Sequence, residues 1–310
     1  MVERREINKI ILLVILALLI VGSLAFRFFA GEEKLNENWA DKLSYSGVFP
    51  VKERGSMQGL TVDFINVGQG DSALIICNGK AMLVDTGEKE YYSLVEHQLE
   101  KRGVKKLDVV VATHPHSDHI GSMSKIIENY EIGTLLMPEI DEKILDGTEV
   151  YQEFKGALKN NSVQVEYVRA GDEYTLSDAK IKILSPGKNF EEINDMSVVF
   201  MLTYGENKFL FTGDIEKDAE AALVLADADL KCDVLKIAHN GSDTSTSEEF
   251  LRIAAPQIAV ISVGKNNEYG HPKRKIIGRL LRSDILIYRT DYDGTVSFHV
   301  PSEKSEIIKD

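Results

Sequence analysis

The chain has 310 residues, of which 44% are hydrophobic and 27% are charged, and its formal net charge is −13. This length and composition are typical of a globular protein with one large domain or two small ones. The acidic balance argues against a broad basic groove for nucleic acid, because phosphate binding depends on Lys and Arg. It is compatible with a local basic patch or with a metal site that brings its own positive charge.

The first thirty residues differ from the rest of the chain. Arg4, Arg5 and Lys9 precede an uncharged run from Ile10 to Phe26. That run is apolar on all sides and reaches the short end of the length that spans a bilayer. The preceding positive charges predict a cytoplasmic amino terminus and an exported remainder, so we predict a single-pass membrane anchor over residues 1–30. A cleaved signal, which would give a secreted protein, is the alternative, although "RFFA" has Phe where a small residue is preferred.

The rest of the chain divides into a polar stalk or linker (31–59), one domain (60–300) and a tail (301–310). The predicted strands are, in chain order, LTVDFINV, SALIIC, AMLVDTG, LDVVVATH, GTLLMP, VQVEYV, AKIKILSP, SVVFMLTYG, NKFLFTGD, CDVLKIAH, IAVISVG, ILIYRT and TVSFHV. The predicted helices are YYSLVEHQLEKRG, a stretch near 122–130, EVYQEFKGALKN, EKDAEAALVLAD, a stretch near 248–255, and RKIIGRLLR. Interleaved strands and helices predict an α/β (α+β) fold of sheets covered by helices. Cys77 and Cys232 lie in strand-like apolar runs, which predicts buried free thiols.

A cluster of potential metal ligands follows one predicted strand. "THPHSDH" places His114, His116, Asp118 and His119 within six positions, directly after the apolar run that ends at Ala112. Imidazole and carboxylate groups together suit divalent Zn, Mn or Fe. Residues two apart point the same way on extended backbone, so His114 and His116 can bind one ion while the other two face a second. The pattern therefore predicts a metal site at the rim of a sheet.

Three later positions offer the further ligands that a two-metal site needs. Asp214 ends "FLFTGD", His239 ends "VLKIAH", and Asp195 precedes the strand "SVVF". An Asp after Gly is also a common turn or helix-capping residue. Together with the cluster, these residues form a coherent ligand set.

At these residues the chain resembles the metallo-β-lactamase superfamily and, within it, the hydrolase domain of ComEC-type DNA-uptake proteins. The resemblance extends from about Leu60 to Phe298 and rests on motifs that include FINVGQGDSALI, LVDTG, THPHSDHIGS, NDMSVVFMLTYGENKFLFTGDIE, DVLKIAHNGS and YGHP. It implies an αβ/βα sandwich of two mixed sheets with flanking helices and two divalent metal ions, Zn or Mn, at one edge. It further implies the following ligand set: His114 and His116 for the first ion, Asp118, His119 and His239 for the second, and Asp214 as a bridge.

The resemblance also implies supporting roles and shows departures. Asp85 would orient the metal-binding loop, and His271 would lie near the substrate. Many superfamily members have a third histidine for the first ion near position 195, where this chain has Asp195. The subfamily often has HHGS where this chain has Asn240 in HNGS. The multi-helix channel of the uptake proteins has no counterpart here, so a transport role does not carry over.

These expectations describe an exported, metal-dependent hydrolase in which Asp118 accepts a proton from water and a metal-bridged hydroxide attacks the substrate. We expect an anionic phosphodiester substrate, either DNA or an envelope polymer. The alternatives are a lactone, lactam or other ester hydrolase and a non-catalytic binding module that contains metal. The sequence does not indicate an oligomeric state.

Overall fold

The computed structural model describes residues 58–140 and 148–310. Its strands are β1 (Leu60–Phe64), β2 (Ala73–Cys77), β3 (Lys80–Val84), β4 (Lys106–Val111), β5 (Glu131–Met137), β6 (Gln164–Tyr167), β7 (Glu173–Leu176), β8 (Ala179–Ser185), β9 (Val199–Tyr204), β10 (Asn207–Phe211), β11 (Val234–Lys236), β12 (Ile258–Ile261), β13 (Leu286–Arg289), β14 (Val296–Val300) and β15 (Ile308–Lys309). Its α-helices are α1 (Tyr92–Lys101), α2 (Ser117–Ile120), α3 (Met123–Asn129), α4 (Glu149–Asn160), α5 (Lys217–Leu225), α6 (Glu248–Ala254), α7 (Arg274–Arg282) and α8 (Thr290–Asp293).

The strands form two mixed sheets. The first has the order β15-β14-β1-β2-β3-β4-β5-β6, and the second has the order β13-β12-β11-β10-β9-β8-β7. In the first sheet β3, β4, β5 and β6 are parallel neighbours, and in the second β10, β11, β12 and β13 are. Parallel strands carry their carboxyl ends to the same edge of a sheet, and polar residues that follow those ends meet there.

Aromatic side chains fill the space between the two sheets. Alternate residues of β1 face the second sheet, and Phe64 at its end stacks on Phe211 of β10 with ring centroids 5.5 Å apart. Phe211 also stacks on Phe200 of β9 at 4.7 Å. Because Phe211 lies three residues before Asp214, this core fixes the strand end from which Asp214 projects.

Helices cover the outer face of each sheet. Helices α1, α3 and α4 contribute Leu99, Ile126 and Phe154 to one apolar layer against the first sheet. Helices α6 and α7 contribute Phe250 and Leu280 to a second layer against the other sheet. The predicted arrangement of two mixed sheets between helices is thus confirmed.

Two strands were not predicted from the sequence. β7 is a short edge strand that pairs only with β8 among the described residues, and only Tyr174 and Leu176 of its four residues pack on the core, which is too short an apolar pattern to mark a strand. β15 pairs with β14 inside the segment predicted to be a tail, so the first sheet extends past residue 300. Both are edge strands, whose pairing depends on a neighbour and not on local hydrophobicity.

The predicted membrane anchor and stalk lie outside the described residues. Within residues 58–140 and 148–310, no helix is long and apolar enough to cross a membrane. Cys77 and Cys232 are both buried and free, as predicted. Burial raises the pKa of Cys77 and raises that of Cys232 to about 12.

Candidate metal centre

The predicted ligands come from three strand ends at one edge of the sandwich. The segment after β4 carries His114 and His116, and the one-turn helix α2 carries Asp118 and His119. Asp214 follows β10 in the second sheet. His239 follows β11, the parallel neighbour of β10. The two sheets therefore each supply part of the site.

The structure brings all six predicted metal ligands together. His114 Nε2 lies 3.1 Å from His116 Nδ1. His119 Nε2 lies 3.3 Å from Asp214 Oδ1 and 3.7 Å from Asp118 Oδ2.

The second oxygen of Asp214, Oδ2, lies 3.9 Å from His239 Nε2. Asp214 thus has one carboxylate oxygen towards His119 and the other towards His239. One ligand atom from each of His114, His119 and Asp214 lies within 4.8 Å of the others, and all three residues are buried.

These residues fit divalent cations. The set is made of imidazoles and carboxylates, which bind Zn and Mn. His119 Nε2 and Asp214 Oδ1 are buried and make no hydrogen bond among the described residues. Buried polar atoms in folded proteins nearly always have a partner, so these two atoms indicate a place for a cation.

Asp85 connects the strand-end backbone to His119. Its Oδ1 accepts a hydrogen bond from Thr113 N at 2.8 Å, and its Oδ2 accepts one from Thr113 Oγ1 at 2.6 Å. The same Oδ2 lies 2.8 Å from His119 Nδ1. This bond places the proton of neutral His119 on Nδ1 and leaves Nε2 available for a metal.

Ser197 supports the first ligand group from the second sheet. Its hydroxyl lies 3.3 Å from His114 Nδ1 and accepts a hydrogen bond from Asp214 N at 3.1 Å. This residue could not be recognised from the sequence, because a serine before a strand carries no local signal.

The Asp195 carboxylate bonds to backbone at the start of a helix, outside the ligand cluster. Its Oδ1 accepts hydrogen bonds from Glu216 N at 2.6 Å and from Ala219 N at 3.3 Å, where α5 begins. Free N–H groups at a helix start are normally satisfied in this way. This carboxylate oxygen is thus engaged in fixing the start of α5.

His271 lies beside the ligand cluster, before α7. Its ring centroid is 5.7 Å from that of His239, and its Nδ1 is buried without a hydrogen bond among the described residues. Burial, followed by the charges of His239 and Lys273, lowers the pKa of His271 to about 4. His271 is therefore neutral at neutral pH.

The cluster opens into a cleft of about 350 Å³ whose lining includes His116, Asp118, Asp214, His239 and His271. Tyr269, which was not among the predicted site residues, also lines this cleft. Its ring stacks on His271 at a centroid distance of 5.8 Å and an interplanar angle of 25°, and the residue is 56% exposed. Its position directly before the "GHP" motif is the sequence feature that could have indicated a place near the site.

A second acidic group lies behind the ligands. Asp71, Asp85 and His119 also have ligand atoms within 4.8 Å of one another. However, Asp71 Oδ2 already pairs with Lys236 Nζ at 2.6 Å, and Asp85 is bonded to Thr113. These carboxylates therefore support the ligands through contacts within the protein.

The buried charges of the cluster depend on one another. Burial lowers the pKa of His114 well below 6.5 and also lowers that of His116. Burial also opposes the charged form of His119, but the carboxylates of Asp214, Asp118 and Asp85 outweigh it and raise the pKa of His119 well above 6.5. In the same way, burial opposes the charged form of Asp214, but His119 outweighs it and holds the Asp214 pKa well below 3.8.

Metal binding should release a proton from His119. Without metal its raised pKa keeps His119 protonated at pH 7, whereas a metal ligand must be neutral. We expect about one proton to be released, measured by calorimetric titration of Zn²⁺ or Mn²⁺ in buffers of different ionisation enthalpy. His119→Gln should release about one proton fewer than the wild type, and equal proton release from the two proteins would contradict the assignment.

The two sheets and the candidate metal ligands define a protein of the metallo-β-lactamase αβ/βα fold, and residues 65–265 match the Metallo-beta-lactamase superfamily. The chain belongs to this superfamily. It is 33% identical over 262 residues to "ComE operon protein 3" of Bacillus subtilis, which covers 76% of this chain and 32% of that protein. It is 31% identical over 253 residues to "Recombination protein 2" of Haemophilus influenzae, with 79% and 29% covered. The chain thus spans about a third of the length of these curated relatives. It is also 29% identical over 236 residues to "Competence protein ComA" of Neisseria gonorrhoeae, with 75% and 31% covered, and the predicted resemblance to competence proteins is confirmed.

A solved structure shares the fold. The metallo-beta-lactamase fold protein YhfI from Bacillus subtilis aligns with a TM-score of 0.52 and 11% identity, and the alignment covers 82% of this chain and 100% of that one. At this identity the likeness shows the fold alone.

Proposed function

We propose that this chain is a metal-dependent phosphodiesterase. The observation that carries the proposal is the buried Asp214, which lies between His119 and His239 at the base of an open cleft. Two divalent cations, Zn or Mn, would lower the pKa of a water molecule and stabilise the negative charge that develops on a phosphate oxygen. His114 and His116 would hold one cation, Asp118, His119 and His239 the other, and Asp214 both.

Asp118 and His271 act on the substrate side of the cluster. The Asp118 side chain is 24% exposed, whereas those of His119 and Asp214 are almost completely buried. Asp118 is therefore the carboxylate that can take a proton from the attacking water. Neutral His271 donates an N–H hydrogen bond to a phosphoryl oxygen without adding charge to the site.

The lining of the cleft favours a phosphodiester substrate that carries a planar group. In-line displacement at phosphorus suits two cations, one near the attacking oxygen and one near the leaving oxygen. The exposed ring of Tyr269 offers a stacking surface, and stacking on aromatic residues is common in the binding of single-stranded nucleic acid. The names of two relatives, "Recombination protein 2" and "Competence protein ComA", favour nucleic acid over an envelope phosphodiester.

Two other functions remain as alternatives. A lactone, lactam or other ester hydrolase would use the same ligands, but the position of a third histidine is taken by an Asp195 that bonds to the start of α5. A binding module would hold metal without turnover. Structural metal sites are usually closed, whereas this cluster opens into a cleft.

The deciding experiment measures hydrolysis of bis-p-nitrophenyl phosphate by the full-length chain in mild detergent. We expect turnover with added Mn²⁺ or Zn²⁺, none with EDTA, and a loss of about 10²-fold or more in Asp118→Ala. Asp229→Ala is the matched control, because Asp229 is exposed and lies before β11, at the opposite end of the strand from His239.

The other outcomes separate the alternatives. Turnover of lactones or lactams but not of phosphodiesters would select the ester or lactam hydrolase. Binding of an oligonucleotide without any turnover at saturating metal would select the binding module.

We also propose that the domain is exported and anchored by residues 1–30. The charged start followed by an apolar run supports this orientation. Protease added to intact cells should then remove the domain while cytoplasmic proteins survive. Protection of the domain until the cells are lysed would contradict the orientation.

A further inference from the structure

The predicted ligands of the second cation come from both sheets and need a common support. Asp118 and His119 lie on α2, after β4 of the first sheet, whereas His239 follows β11 of the second. Any relative movement of the two sheets at this edge would separate these ligands. The loop between β1 and β2, residues 65–72, lies between them and contacts both.

Asp71 in this loop contacts both sides. Its backbone N donates to Asp118 O at 3.1 Å. Its carboxylate pairs with Lys236 of β11 at 2.6 Å and accepts a hydrogen bond from Asn240 Nδ2 at 3.3 Å. The preceding residue is Gly70 with a φ of +115°, where a Cβ atom would lie 2.1 Å from Asp118 O. The loop can press this closely on the backbone of a predicted ligand only because residue 70 is glycine.

Asn240 carries the contact to His239. Both residues have left-handed backbone, with φ values of 51° and 50°, a conformation that Asn tolerates well. Asn240 Oδ1 accepts a hydrogen bond from Gln69 Nε2 at 2.8 Å, and its Nδ2 donates to Ser262 O at 3.0 Å as well as to Asp71. Gln69 Oε1 in turn accepts from Gly264 N at 3.1 Å.

The Asn240 amide is thus fully engaged within the protein and the residue is only 1% exposed. It is not placed to donate a proton to a substrate. Its hydrogen bonds run instead from the His239 turn to the loop that contacts Asp118.

We infer that Gln69, Asp71 and Asn240 form a polar bridge that fixes the separation of Asp118 and His239 and thereby determines the affinity of the second metal site. The bridge residues are positioning residues, since they act on the metal through Asp118 and His239. Gln69 and Asn240 also line the cleft, so the test measures metal binding and not turnover. The inference rests on the metal-binding part of the proposed function and is independent of the substrate.

The test is Asn240→Gly in the full-length protein, with Co²⁺ as a spectroscopic metal. Glycine adopts left-handed backbone without strain, so this variant removes the amide and preserves the turn. We expect one of two bound Co²⁺ ions to bind about 10- to 100-fold more weakly, with a changed visible absorption spectrum, while the other ion is unaffected.

Asn266→Gly is the matched control. Asn266 is also left-handed, with a φ of 57°, but is exposed, so Co²⁺ binding should stay at the wild-type level. Gln69→Ala breaks the same bridge from the other end and serves if Asn240→Gly does not fold. The double variant should lose no more Co²⁺ affinity than the single variant with the larger loss, because both changes break the same connection.

The results that overturn the bridge differ from those that overturn the proposed function. A lower melting temperature with an unchanged Co²⁺ isotherm and spectrum in both Asn240→Gly and Gln69→Ala would show that the bridge only stabilises the fold. Wild-type protein that binds no Co²⁺ would remove the metal centre, and the inference with it. Wild-type protein that binds two Co²⁺ ions but hydrolyses no phosphodiester would contradict the proposed reaction and leave the bridge standing.

Discussion

Asp214→Asn is expected to lower metal-dependent phosphodiester hydrolysis by about 10³-fold, since loss of a cation that stabilises the transition state costs several kcal/mol. Asp214 is the one carboxylate within 4 Å of both His119 and His239 among the described contacts. The asparagine retains the volume of the side chain but supplies a neutral ligand. The measurement is kcat/KM for bis-p-nitrophenyl phosphate at saturating Mn²⁺, beside the metal content of each protein.

The same variant has a second, pH-dependent effect in metal-free protein. The raised pKa of His119 stabilises the fold fully below its unfolded pKa of about 6.5, and this contribution is lost as the pH rises through the folded pKa. The depressed pKa of Asp214 stabilises the fold above its unfolded pKa of about 3.9, and this contribution is lost as the pH falls through the folded value. Asp214→Asn should therefore lower the melting temperature most between about pH 4 and pH 6.5, and less at alkaline pH.

Thermal unfolding in EDTA from pH 5 to pH 9 measures this difference. Asp229→Asn changes an exposed carboxylate and should follow the wild-type profile. A melting temperature of Asp214→Asn equal to that of the wild type at pH 5 would show that Asp214 and protonated His119 are not coupled.

The candidate ligands could be selected from the sequence because each occupies a place that local sequence marks. Four of them follow one apolar strand within six positions, and the other two end strands of their own. Strand ends that are parallel neighbours meet at one edge of their sheet, which brings Asp214 and His239 close, and the face-to-face packing of the two sheets adds the cluster that follows β4. The metal role of the predicted set could therefore be argued before any coordinates.

Apart from Asp85, which the family resemblance had indicated, the supporting residues could not be predicted, because their partners are distant in the sequence. The "GQGD" stretch indicated only a turn, yet Asp71 pairs with Lys236, which lies inside an apolar strand. From the sequence Asp195 was a possible ligand, whereas in the structure its carboxylate accepts a hydrogen bond from Glu216 N, twenty-one positions later. No local pattern separates a carboxylate that binds metal from one that bonds to the start of a helix.

Asp85→Asn should weaken metal binding by about 10- to 100-fold while the protein stays folded. Asp85 has a left-handed φ of 53°, which asparagine adopts readily, so the backbone is not strained. The carboxylate accepts hydrogen bonds from Thr113 N, Thr113 Oγ1 and His119 Nδ1. An amide has only one acceptor oxygen, so its NH₂ group must face one of these donors.

If that NH₂ group faces His119, the ring must accept at Nδ1 and carry its proton on Nε2, which then cannot bind metal. If it faces Thr113, the loop that carries His114 loses a backbone hydrogen bond. Competition with a chelator measures the affinity for Zn²⁺ and Mn²⁺ in either case. Asp108→Asn is the control, because Asp108 also accepts from a backbone N–H, that of Ala81, but lies near the start of β4, away from its ligand-bearing end. Equal metal affinities in Asp85→Asn and Asp108→Asn would mean that His119 keeps its metal-binding tautomer without Asp85. The affinity would then be set by the ligands themselves, without support from Asp85.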